Sequence, residues 1–229
     1  MKMTLYERYL AAERGVAEAA ARCGRKREDI LLLAVSKTVP AERIAELYAH
    51  GVRCFGENRA AVLAEKAKSL PADIEWHYIG PLQSNKVRKV VQTASVIHSV
   101  DSPDLLARLD RIAGEEGRAP RFLLEVSVSG EESKGGVPLA QLDELAAAAD
   151  ECRHAVWSGL MTMAPLAATG SELMSIFGRL AAERTRLETR FGRKLSLLSM
   201  GMSGDYREAI ACGSTVVRLG TCIFSDRGE

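Results

Sequence analysis

No stretch of the chain reaches the roughly 18 consecutive apolar residues that a membrane-crossing helix needs. The opening segment MKMTLYERYLAAERG carries charges every few residues, where a secretory leader would have an uninterrupted apolar core. These two absences predict a cytoplasmic protein that does not enter membranes. Charge imbalance is missing as well: 31 lysines and arginines face 30 aspartates and glutamates, so no bulk field recruits nucleic acid or an anionic lipid surface. The five cysteines, Cys23, Cys54, Cys152, Cys212 and Cys222, include no CxxC pair and have no histidine at zinc-site spacing. They are expected to be reduced packing residues, and no metal is expected. No long Pro/Gly/Ser linker or block of like charge interrupts the chain, so residues 1–229 read as one domain.

What the sequence does contain is a rhythm. Leu5, Tyr9, Ala12, Val16, Ala19 and Cys23 recur at helical spacing behind Thr4, a candidate N-cap, and predict a leading helix over residues 1–24 that ends at Gly24. Short runs rich in Val, Ile and Leu then fall at 30–35, 53–55, 75–79, 96–100, 122–128, 155–161, 195–199 and 215–219. Helix-like segments begin between them near Ala41, Asn58, Ser84, Ser102, Pro138, Ser171 and Gly204. Eight strands alternating with helices predict a (β/α)8 TIM barrel over residues 30–224. The rival, an open doubly wound sheet, would be expected to carry a GxGxxG turn after its first strand, and none is present.

Barrels of this kind place their working residues at the C-terminal ends of the strands. Those ends hold Ser36 and Lys37, then Gly56, Glu57 and Asn58, then Gly80 with Gln83, Ser84 and Asn85. Asp101, Met161 and Thr162 follow, and then Met200 to Asp205 and Arg218 to Thr221. The loops after the last two strands, SMGMSGDYREAI and VRLGT, stand where such barrels often bind phosphate. Ser203 either caps the helix expected near Gly204 or offers its hydroxyl to that phosphate. Lys37 either snorkels to water or serves as an amine nucleophile, desolvated beside an apolar strand and poised to form a Schiff base with a carbonyl compound. Arg218 either forms a rim ion pair or meets the ring nitrogen of a bound pyridoxal phosphate.

The segments LLLAVSKTVP, CFGENR, WHYIGPLQSNK, GLMTMAP, LSMGMSGDYREAI and VRLGTCIF occur in this order, and together they resemble the pyridoxal phosphate homeostasis protein family, also called YggS-like or PROSC-like. The resemblance spans about residues 30–224. It implies a single barrel similar to the N-terminal domain of alanine racemase, the fold type III arrangement, with pyridoxal 5′-phosphate (PLP) held by Lys37 as a Schiff base. It also implies Asn58 near the cofactor, Ser203, Gly220 and Thr221 at the phosphate, and Arg218 at the ring nitrogen. His77, Ser84, Asn85, Met200 and Lys134 fall within matching motifs with roles left open, His77 being equally an interior hydrogen-bonded residue. Ser127 stands where the family pattern has an asparagine, and Cys222 replaces a small residue in the tail, read as a packing change.

The function so implied is intracellular PLP homeostasis and balance of amino-acid metabolism without clear catalytic turnover, PLP-dependent apoenzymes being possible recipients. The alternative is a PLP-dependent amino-acid racemase. Such an enzyme takes its second base from a further β-rich domain, for which these 229 residues leave no room. A Schiff-base lyase acting on a phosphorylated sugar and a noncatalytic protein-binding scaffold complete the alternatives. With no extended heptad pattern, a monomer is expected.

Overall fold

The computed structural model describes residues 3–130 and 135–225. A leading helix α1 (Leu5–Arg22) is closed at its start by a reciprocal capping box between Thr4 and Glu7, which satisfies two orphan backbone donors. After it come β1 (Leu31–Val35), α2 (Ala41–Ala49), β2 (Cys54–Glu57), α3 (Ala60–Ser69), β3 (Glu75–Tyr78) and α4 (Val87–Val91). The series continues with β4 (Val96–Val100), α5 (Pro103–Glu115), β5 (Arg121–Ser127), α6 (Leu142–Asp150), β6 (Val156–Met161) and α7 (Gly170–Phe191). It ends with β7 (Leu197–Met202), α8 (Tyr206–Ala211), β8 (Val216–Leu219) and α9 (Thr221–Phe224).

Among the described residues the eight long strands are all parallel in the order β4-β3-β2-β1-β8-β7-β6-β5, and β4 pairs with β5 to close the ring. This is the TIM barrel that the alternation predicts. A two-residue strand, Val137–Pro138, adds to the outside of β5, a piece that the sequence pattern did not announce.

Successive strand residues point to opposite faces, so each strand divides its side chains between helices and barrel interior. Phe55, Trp76, Tyr78, Ile97, Phe122, Leu124, Trp157, Leu160, Leu198, Met200, Val217 and Leu219 belong to the large core beneath the helices. Val96, Leu123 and Met161 form a separate small cluster inside the ring. Polar side chains also fill the interior: His77, His98, Ser199 and Arg218 are each 5% exposed or less. TIM barrels usually fill this space with Val, Ile and Leu.

Two details shape the mouth. β7 runs three residues past its predicted end at Ser199, through a bulge in which Ser199–Met202 oppose Val216–Arg218. Gly201 sits in that bulge at φ 95°, a conformation side chains rarely adopt. In consequence the helix expected near Gly204 begins at Tyr206. Similarly, β2 includes Gly56 and Glu57, and its helix begins at Ala60 rather than near Asn58.

The last two helices have only six and four residues, too short to cover their side of the ring. Helix α1 covers it, burying Leu5, Ala12, Val16, Ala19 and Ala20. Its Gly15 lies so close to α8 that an added Cβ would stand 2.5 Å from Tyr206 Oη. Arg8 Nε donates to Ile223 O at 2.8 Å and Arg25 Nη1 to Ile210 O at 3.0 Å, tying the helix and its exit to α9 and α8. All five cysteines are free; Cys152 and Cys212 pack half-buried against the core, as expected of packing residues. Cys23 and Cys222 are exposed.

Candidate functional site at the barrel mouth

The chain leaves β1 through Ser36, whose N–H donates to Gly56 O at 2.9 Å and so extends the ladder by one residue. The Ser36 carbonyl then accepts from Val39 N and from Lys66 Nζ, each at 2.9 Å. Lys66 reaches this point from α3, where it also pairs with Glu57 Oε1. Ser36 Oγ donates to the same oxygen at 3.0 Å. Glu57 is 0% and Lys66 8% exposed, so a buried ion pair grips the residue before Lys37 and is itself the residue before Asn58. Neither partner was assigned a role from sequence. A lysine nearly two turns into the following helix gives no local signal.

Lys37, turned outward by this grip, is exposed. The desolvated amine expected beside an apolar strand is therefore not what the fold provides, because Lys37 lies two residues beyond the end of β1. With Thr38, Gly220, Thr221 and Phe224, Lys37 lines a cleft of about 330 Å³ between the loops after β1 and β8. At Gly220 an added Cβ would meet Val35 O at 3.1 Å, so the glycine lets the loop after β8 pack closely against the end of β1. Ser203 is half-buried and donates to Cys222 Sγ at 3.4 Å, which sets its hydroxyl beside Thr221. It does not cap α8. Asp205 accepts from Met202 N instead and closes the turn.

Arg218, on β8 two residues before Gly220, is 5% exposed. Its Nη1 donates to Ser199 Oγ at 2.7 Å and its Nη2 to Thr162 O at 3.0 Å. Among the described residues no carboxylate is in salt-bridge range, so the rim ion pair is absent. Burial pulls its pKa down to about 10, with the charges of Glu125 and Asp205 acting against that fall. Glu125 on β5 shares the mouth and was missed from sequence. Burial, helped by the neighbouring charge of Asp101, pushes its carboxyl up to about 7, while Arg218 holds it down. A glutamate at an inward position of the apolar run FLLEVSV was the available signal.

Asn58 is half-buried at the end of β2, with its Oδ1 enclosed and without a hydrogen-bond partner. An orphan acceptor in such a place is costly unless something donates to it. The exposed amine of Lys37 and the hydroxyls and backbone N–H groups of the loops holding Ser203, Gly220 and Thr221 fit a phosphorylated aldehyde, whose oxygens accept.

Several expected residues stand elsewhere. Met200 packs outward under the helices because β7 extends through it. Ser84 and Asn85 lie exposed in a 3-10 turn before α4. His77 is fully buried inside the barrel, 2.9 Å from His98. Lys134 lies outside the described residues. Ser127 ends β5, half-buried, and Cys222 meets Ser203 in place of packing inward. A larger cleft of about 510 Å³ at the opposite end of the barrel, lined by Glu13, Arg27, Cys54 and Thr215, holds none of the predicted residues.

A closed parallel barrel with a lysine just beyond its first strand and a polar loop after its last defines the class: the family described as alanine racemase, N-terminal domain, matches residues 14–228. The chain is 40% identical over 216 residues to the pyridoxal phosphate homeostasis protein of Escherichia coli strain K12, covering 93% of this chain and 92% of that one. It is 37% identical over 226 residues to the protein of the same name from Aquifex aeolicus, covering 98% and 99%. The chain belongs to the pyridoxal phosphate homeostasis protein family. Among solved structures, PipY of Synechococcus elongatus with PLP bound superposes with a TM-score of 0.78 at 39% identity, covering 92% of this chain and all of that one. Alanine racemase from Corynebacterium glutamicum shares the fold alone, with a TM-score of 0.70 at 17% identity over 59% of its length.

Proposed function

We propose that the protein binds PLP at the barrel mouth and serves in its intracellular homeostasis, with Lys37 as the covalent anchor. The observation that carries this reading is the cleft that brings Lys37, just beyond β1, together with Gly220 and Thr221, just beyond β8. The homologues named for PLP homeostasis and the PLP-bound PipY structure support the choice of ligand. When bound, PLP supplies an aldehyde that forms a Schiff base with a lysine amine and a ring that can withdraw electrons.

The chain's own residues divide the remaining work. The Lys66–Glu57 pair fixes the backbone before Lys37, so the amine starts from one place at the rim. Ser203, Gly220 and Thr221 receive the phosphate through hydroxyls and backbone N–H groups. Asn58, at the end of β2, would offer its amide N–H groups to a ligand oxygen. Arg218, a permanent cation with donors only, faces the ring nitrogen and disfavours its protonation, which weakens the electron sink. This arrangement suits retention and release more than turnover, and no residue is assigned a catalytic role. Keeping PLP off the cytoplasm and passing it to PLP-dependent apoenzymes would tie the protein to the balance of amino-acid metabolism. Residues 1–229 act in this reading as one monomeric unit.

The test is direct. Purified protein is expected to absorb in the visible and, after borohydride reduction, to carry a pyridoxyl mass on the peptide containing Lys37. Lys37→Ala should abolish both. Colourless protein that stays unlabelled after incubation with excess PLP refutes the reading. Rapid exchange of the α-proton of alanine into deuterated water would establish the racemase instead.

A further inference from the structure

The polar residues of the middle layer form a continuous chain across the barrel interior. Arg218 Nη1 lies 2.7 Å from Ser199 Oγ, Ser199 Oγ 2.9 Å from His98 Nδ1, and His98 Nε2 2.9 Å from His77 Nδ1. His77 Nε2 lies 3.5 Å from Glu75 Oε1, a carboxylate that also pairs with Arg121. We propose that His77, His98 and Ser199 are positioning residues whose hydrogen bonds run in one direction and hold the Arg218 guanidinium in place beneath the mouth.

Elementary donor and acceptor chemistry sets the direction. Arginine only donates, so Ser199 Oγ accepts from Arg218. The serine's single proton then needs an acceptor, and among the described residues His98 Nδ1 is the one within reach. His98 Nδ1 is therefore bare, and neutral His98 carries its proton on Nε2, aimed at His77 Nδ1. His77 in turn carries its proton on Nε2, toward Glu75. The reverse arrangement makes Ser199 accept twice and strands its hydroxyl proton at a site with 0% exposure, an unpaired buried donor.

A cationic His98 fits no better. Its neighbours are His77 and Glu75 from β3, Arg121 from β5, Ser199 from β7 and Arg218 from β8, and two of these are permanent cations. Burial and the charge of Arg218 both keep His98 neutral. Burial likewise lowers His77, against the pull of Glu75. Because Arg218 gives up no proton near neutrality, the chain is a scaffold and transports nothing.

The geometric result is a fixed fork. Ser199 anchors one arm, and the carbonyl of Thr162 anchors the other at 3.0 Å. Thr162 is itself held by its Oγ1 donating to Val126 O at 2.7 Å. Three of the five donors of Arg218 are left for the mouth. The tautomers do not depend on any ligand; only the consequence for PLP rests on the function proposed above.

Imidazole 15N spectra of the ligand-free protein, with His50→Gln and His154→Gln variants for assignment, test the direction of the chain. His77 and His98 are expected as neutral Nε2–H tautomers that do not change between about pH 5.5 and 8, across the range where a free imidazole titrates. An Nδ1–H tautomer at His98, or its titration in that range, overturns the proposal. Side-chain 15N spectra of Arg218 test the holding: separate Nη signals in the wild type are expected to collapse in Ser199→Ala and return in Ser199→Thr. Separate signals that survive Ser199→Ala refute the positioning role, whether or not PLP binds. If the wild type carries PLP, its release should also quicken about tenfold in Ser199→Ala, one charged hydrogen bond's worth, and recover in Ser199→Thr.

Discussion

Replacing Lys66 with methionine keeps most of a buried stem and removes the cation that faces Glu57. Glu57 has 0% exposure, its Oε1 is shared by Lys66 and Ser36, and its Oε2 has no partner. Taking one member from such a pair leaves an uncompensated buried charge, which costs about 3–5 kcal/mol. Similar side-chain volume keeps the packing change small beside that cost. For a chain of 229 residues, each kcal/mol corresponds to about 2–4 °C in thermal midpoint, so Lys66→Met is expected to melt roughly 6–20 °C lower. The double variant Lys66→Met with Glu57→Gln removes the stranded charge and should recover more than half of the loss, because the two sites couple. Urea unfolding at pH 7, followed through the buried Trp76 and Trp157, measures both. A single variant within about 1 kcal/mol of wild type, or a double variant as unstable as the single, refutes the argument that a buried ion pair grips Ser36.

Glu125 makes a pH prediction. Burial pushes its carboxyl from the ordinary 4.5 up to about 7 in the fold, so its contribution to stability is fully present below about pH 4.5 and is lost as pH rises through 7. Glu125→Gln should match the wild type near pH 4.5 and exceed it by about 1–3 kcal/mol above pH 7; a difference that does not vary with pH in urea titrations would sink this account. Gly220→Ala tests the cleft, since its Cβ meets Val35 O at 3.1 Å. Stability should fall by no more than about 1–3 kcal/mol, while PLP retained after gel filtration falls at least roughly tenfold. Unchanged retention would make Gly220 a packing residue only.

The barrel was legible because its strands alternate with amphipathic helices at regular intervals, and even the leading helix showed its cap at Thr4. Boundaries slipped where tertiary pairing overrode local pattern. β7 continues through Gly201 because the bulge lets it pair with Arg218 after the apolar run has ended. That slip also explains Met200, which sequence placed at the mouth and the extended strand turns outward. Lys37, Gly220 and Thr221 could be expected near one another because strand ends map onto the mouth of any such barrel, and the fold brings them to one cleft. Glu57 and Lys66 were not connected, because their link passes through space between β2 and α3. The chain from His77 to Arg218 joins four strands, and no spacing in one dimension encodes it, although VIHSV and SLLSMGM each show a polar residue at an inward position.

The hydrogen bond from Arg8 to Ile223 spans 215 positions of sequence, and the β1–β8 pairing beside it spans nearly as many. A ribosome emits the N-terminal end of these contacts first and the C-terminal end last, at about 5–20 residues per second. For most of synthesis the apolar edge of β1 and the inner face of α1 have no partner, and the ring stays open on the side where the mouth loops will form. Closure, the seating of α1 and the meeting of Lys37 with Gly220 thus become one late event. Nascent chains of this protein spend their exposed interval with an unpaired apolar edge, the condition in which aggregation competes with folding, and the cleft between Lys37 and Gly220 comes into existence only when that interval ends.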